Sequence, residues 1–95
     1  MKTRVTTSTI ALDKLEAAVA SWHDSLNPAA RRLNGWQGAE MFVNYQSGNC
    51  VVVAQWASDD DIAASMSALQ SEFAHFGTFL TAEPAAQVYD LVIKG

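Results

Sequence analysis

Ninety-five residues, 49% of them hydrophobic and 17% charged, suffice for one hydrophobic core and exclude both a two-domain enzyme and a chain held open by its own charge. The net charge is 6 − 10 = −4 and no basic run exceeds Arg31-Arg32, which excludes the cationic stripe that nucleic-acid binding requires. The lone Cys50 cannot close an internal disulfide, and neither a signal-peptide core nor a run of about 20 apolar residues is present, so the expectation is a single cytoplasmic domain over 1–95 that meets neither membrane nor nucleic acid.

Val5 to Leu12 mixes β-branched and apolar residues with threonine and predicts a first strand with at least one polar face. Asp13 is placed to cap a helix, with Glu16 completing a capping box. Leu15, Ala18, Val19, Trp22 and Leu26 recur at helical spacing. Asn27-Pro28 predicts an end or kink of that helix, because the proline ring disfavours the α conformation at the preceding residue. A short turn over 29–33 and the stop signal Asn34-Gly35 follow. Trp36 to Tyr45 alternates loosely, with Met41, Val43 and Tyr45 on one face and Phe42 and Asn44 on the other. The polar turn Gln46-Ser47-Gly48-Asn49 and the run Cys50 to Trp56 make a hairpin. Ser58 predicts an N-cap, with Asp59, Asp60 and Asp61 favoured in the first turn by the helix dipole. Ile62, Met66, Leu69, Phe73 and Phe76 form the second stripe, ended near Gly77. After the Glu83-Pro84 loop, Ala86 to Ile93 predicts a last strand. The order β-α-β-β-α-β predicts an α+β, ferredoxin-like fold with a four-stranded antiparallel sheet.

Two helices cover only one face of such a sheet, yet Val51-Val52-Val53-Ala54 and Leu91-Val92-Ile93 are apolar on both faces. A strand that is apolar on both sides must be covered twice. Sheet-to-sheet packing of a homodimer is the expected solution.

Few residues carry chemistry. A phosphate loop, CxxC and HExxH are all missing from the sequence, so no metal site is expected. His23 adjoins Trp22 at the edge of the first stripe, at a pocket margin or simply packed on the surface. His75 lies roughly 140° from the second stripe on an ideal helix and faces solvent unless the helix unwinds near Gly77. Cys50 reads as a buried structural thiol. Asn44 and Tyr45 end a strand, where they either meet a ligand or serve the turn. Trp36 and Trp56 sit at the two ends of the hairpin, as pocket walls or as packing. The three aspartates are capping residues rather than a cation site.

The hairpin carries a resemblance. Gly35-Trp36-Gln37-Gly38-Ala39-Glu40-Met41-Phe42, a polar turn, then Val51-Val52-Val53-Ala54-Gln55-Trp56-Ala57-Ser58-Asp59 resembles the central block of the antibiotic biosynthesis monooxygenase family. The flanking helices and the strand with Val88 and Tyr89 extend the likeness over nearly the whole chain. The resemblance implies a dimeric α/β barrel of two ferredoxin-like subunits. It also implies a cofactor-independent monooxygenase that oxidises a small flat phenol- or quinol-like compound with dioxygen. The ligand-binding wall would comprise Trp22, His23, Tyr45, Met66, Leu69 and Phe73, and the catalytic candidates are Trp56, Asn44 and His75. Three polar positions of the family's quinone-forming oxygenases correspond here to Val52, Ile62 and Phe76. That substitution points to an alternative, a non-catalytic small-molecule-binding or stress-response barrel. A third reading, heme binding and degradation, rests on His75, which stands 75 − 56 = 19 residues after Trp56 as the axial histidine of the related heme oxygenases does. The two other residues of that arrangement correspond to Thr7 and Ser65.

Overall fold

The computed structural model describes all of residues 1–95. Strand β1 (Lys2–Thr9) leads through a 3₁₀ turn, Leu12–Lys14, into α1 (Leu15–Ser21). A π-helical turn, Trp22–Leu26, joins α1 to α2 (Asn27–Ala30). Strands β2 (Trp36–Val43) and β3 (Asn49–Trp56) form the hairpin, followed by α3 (Asp59–Ala68), α4 (Gln70–Gly77) and β4 (Ala85–Asp90). The sheet is antiparallel throughout, in the order β2-β3-β1-β4. No helix is long and apolar enough to cross a membrane.

Register fixes which residues face the helices. Arg4 stands opposite Ala54, Thr6 opposite Val52 and Ser8 opposite Cys50. Because side chains alternate along a strand, these residues share the inner face, and Val5, Val51 and Val53 share the outer one. The core begins where β1 runs into the helical layer: Ile10, Leu15, Ala18 and Cys50 pack together, with Phe76, Phe79 and Leu80 against them. Cys50 is buried, and burial pushes its thiol up, an effect partly offset by a hydrogen bond with Ser8. This burial is that of the structural thiol the sequence predicts.

Several local expectations are corrected. The first strand starts at Lys2 and ends at Thr9, because Arg4 and Lys2 extend the ladder toward Trp56. Asp13 makes no capping bond, since the helical segment begins one residue earlier, after Ala11. Pro28 does not end the first helix. Its ring would collide with the carbonyl one ordinary turn back, and the wider π turn, closed by Asn27 N–H donating to the Trp22 carbonyl, carries the helix past it. The second helix breaks at Leu69, whose φ of −105° and ψ of 16° separate α3 from α4. The last strand ends at Asp90, and Leu91, Val92 and Ile93 lie beyond it, exposed.

The Ser58 cap forms as expected. The Asp61 amide donates to Ser58 Oγ at 3.2 Å, and Ser58 Oγ donates to the Asp61 carboxylate at 2.9 Å. Lys2 ties the start of α3 to the end of β4, 3.6 Å from Asp59 and 2.6 Å from Asp90. Its ammonium, hydrogen-bonded to Asp90, holds that carboxyl below its ordinary value and is itself raised. The Asp90 share of stability is thus present above the unfolded carboxyl value and lost as pH falls through the lower folded one. Both groups are solvated, so the effect is small.

Candidate functional site

A cavity of about 240 Å³ opens between the inner face of the sheet and the helices. Its walls follow from the hairpin register, which sets Trp36 opposite Trp56. Their rings meet edge to face, with centroids 5.5 Å apart and planes at 84°, a favourable aromatic geometry. Trp56 is 3% exposed. The facing wall comes from the second helical pair: Met66 and Leu69 from α3 and its break, Phe73 and Phe76 from α4. Trp22 and Leu26 on the π turn close a third side.

The second stripe is shifted from the one the spacing predicts. Ser65 occupies the buried position, with its hydroxyl donating to the Ile62 carbonyl at 2.6 Å, and Met66 stands at the margin, 40% exposed. A small hydroxyl that satisfies itself within its own helix is cheap to bury, so Ser65 makes room and Met66 reaches the opening.

The floor is polar. Arg4, Thr6 and Ser8 of β1 line it, and Arg4 is the one charged residue in the wall. Its guanidinium carbon lies 5.6 Å from the centroid of the Phe73 ring, within cation–π range. Arg4 takes part in no ion pair, and burial pulls its pKa below the ordinary arginine value. Asn27, at the start of α2, also lines the cavity, and its Oδ1 is buried without a hydrogen-bond partner.

Of the expected ligand contacts, Trp22, Met66, Leu69 and Phe73 line this cavity, as does Trp56 from the catalytic set. The others lie elsewhere. His75 is exposed and stacks edge to face on Phe79 at 5.3 Å, outside the cavity wall. The helix stays wound through Gly77, so the periodicity that points His75 to solvent prevails, and no axial ligand is presented to a heme. Asn44 Oδ1 accepts from the amides of Gln46 and Ser47, at 2.9 and 3.2 Å. It is a turn residue. His23 is solvated and bonded to Asp24 at 2.8 Å. Together with Tyr45 it borders a separate shallow groove along the edge strand, beside Phe42 and Met41. Val52 and Phe76 are in the cavity wall, and Ile62 is buried in the core. No histidine or carboxylate lines the cavity, and nowhere do three His, Cys, Asp or Glu side chains converge as metal ligands would.

Sequence reasoning missed Arg4 and Asn27. A signal existed for the first: Arg4, Thr6, Ser8 and Ile10 alternate in period two, so the polar face of β1 had to share a side with a core isoleucine. Asn27 is masked by the proline after it, which points to an end or kink of the helix rather than to a cavity residue.

No protein-family model and no curated sequence matches the chain. Solved structures share its fold at low identity. A crystal structure of an antibiotic biosynthesis monooxygenase aligns with a TM-score of 0.82 at 10% identity, covering 98% of this chain and 100% of that one. A monooxygenase from the gene ActVA-Orf6 of Streptomyces coelicolor, in complex with Nanaomycin D, aligns at 0.78 and 16%, covering 99% and 92%. A mutant of SnoaB, a cofactor-independent oxygenase from Streptomyces nogalater, aligns at 0.78 and 13%, covering 98% and 94%. The chain has the fold of the antibiotic biosynthesis monooxygenases.

Proposed function

We propose that the protein is a cofactor-independent monooxygenase that oxidises a flat, readily ionised phenol or quinol with dioxygen, acting as a homodimer. The observation that carries this reading is the aromatic cavity between sheet and helices, in a fold shared with a cofactor-independent oxygenase. Its volume of about 240 Å³ exceeds the ~150 Å³ that admits benzene, leaving room for two fused rings. Electron-rich rings stacked against Trp56 are held apart from water. The substrate anion itself reduces dioxygen, and the protein supplies position and electrostatics.

The test is oxygen uptake with 1,4-naphthohydroquinone. Monooxygenation gives 2-hydroxy-1,4-naphthoquinone and water, with one oxygen atom entering the ring, whereas spontaneous oxidation gives 1,4-naphthoquinone and hydrogen peroxide. The expected result is protein-dependent hydroxylated product carrying one label from ¹⁸O₂, slowed on the order of tenfold or more in Trp56→Phe by misplacement of the ring. Equal uptake with and without protein refutes the oxygenase reading.

That second outcome would leave a non-catalytic binding barrel. One observation favours it: the wall offers no base, and Val52 and Phe76 occupy it in place of polar groups.

The dimer is supported by the outer face of the sheet, where Val5, Val51 and Val53 alternate with the cavity-facing residues and Phe42 and Tyr89 stand half exposed. Light scattering after size exclusion is expected to give twice 10.3 kDa. Val53→Glu, which sets a second carboxylate opposite Glu40, is expected to yield monomer. A monomeric wild type contradicts the double-coverage argument.

A further inference from the structure

Two polar groups in the cavity lack partners that a protein interior normally supplies. Arg4 is a cation in an otherwise uncharged wall, with Phe73 under its guanidinium and no carboxylate paired to it. The chain holds ten acidic residues, and none is placed to pair with it. Leaving a partly buried charge unpaired is costly, and an aliphatic residue at that position would avoid the cost. Asn27, on α2, lines the same cavity, and its Oδ1, buried without a hydrogen-bond partner, is the second group. The first calls for an anion and the second, an acceptor only, calls for a donor.

We propose that the cavity recognises a two-ring aromatic carboxylate bearing a hydroxyl group, with the carboxylate on the Arg4 guanidinium and the hydroxyl donating to Asn27 Oδ1. The planar fork of arginine matches a carboxylate bidentately, and the aromatic walls hold the rings. This names a substrate class for the site under the oxygenase reading and rests on it for turnover. Binding itself does not depend on chemistry.

The experiment is isothermal titration calorimetry under argon with 2-naphthoate, its methyl ester, and 3-hydroxy- and 6-hydroxy-2-naphthoate, whose hydroxyls lie beside and opposite the carboxylate. The acid is expected to bind at least about tenfold tighter than the ester. Arg4→Gln should abolish that preference while leaving ester affinity within about twofold, which also reports an intact cavity. One hydroxyl isomer should bind more tightly than 2-naphthoate, and Asn27→Leu should remove that gain alone. Equal binding of acid and ester, a preference that survives Arg4→Gln, or binding of none of the probes overturns the proposal. So does a hydroxyl series with no gain, or a gain that Asn27→Leu leaves in place. Acid preference without oxygen uptake leaves the anion site standing and removes the oxygenase reading; oxygen uptake without acid preference does the reverse.

Discussion

Gly48→Ala is expected to lower the unfolding free energy by about 2–5 kcal/mol. Gly48 has φ of +80°, where an L side chain costs roughly 1–2 kcal/mol. A Cβ there would lie 2.2 Å from the Ile10 carbonyl oxygen. That oxygen belongs to the backbone of Ile10, a core residue 1% exposed, so it cannot rotate away, and overpacking of this kind adds about 1–3 kcal/mol. The Ile10 amide also donates to the Gly48 carbonyl at 2.8 Å, so relief by moving the hairpin turn breaks the bond that holds it to β1. For a domain of this size the loss corresponds to a melting point lower by about 8–40 °C, read by circular dichroism. Gly77→Ala is the control: nothing lies within 4 Å of its added Cβ, and its melting point should hold or rise by a few degrees, because alanine is the better helix former.

Trp56→Ala is expected to cost about 3 kcal/mol, measured by urea unfolding. Burial at 3% exposure and the edge-to-face contact with Trp36 place it in the ~3–5 kcal/mol class of large aromatic truncations. One face of Trp56 already borders the cavity, so fewer packing partners are lost than in a closed core, and the cost falls at the lower end. The same variant should bind 2-naphthoate about two- to twelvefold more weakly, as stacking worth about 0.5–1.5 kcal/mol disappears. A Trp56→Ala protein of unchanged stability and affinity would remove this residue from both roles.

The fold was legible because its signals are periodic. Period-two runs bounded by Gly48 and Gly35 marked the hairpin, and the Ser58 cap and the spacing through Leu69 marked the second helical layer. Errors gathered where a local rule met a tertiary demand. Asn27-Pro28 predicts an end or a kink, whereas packing of Leu26 and Ala30, both buried, carries the helix on through a π turn. Asp13 had the right side chain, but the first turn starts before it. In the site, the aromatic wall followed from the stripes. The polar floor did not, because Arg4 sits in a threonine-rich strand that reads as a surface, and register with Ala54 turns it inward. His75 shows the opposite case: the spacing to Trp56 suggested a ligand, and the helix phase, which favoured solvent, proved the better guide.

The space between sheet and helices is expected to receive a flat aromatic molecule. Crystals soaked under argon with 1,4-naphthohydroquinone test it most directly. The expected result is the bicyclic ring within the cavity, against Trp56 and Phe73 and with an oxygen toward Arg4. Density in the groove beside His23 and Tyr45, or a cavity filled by its own side chains with no ligand inside, would contradict it.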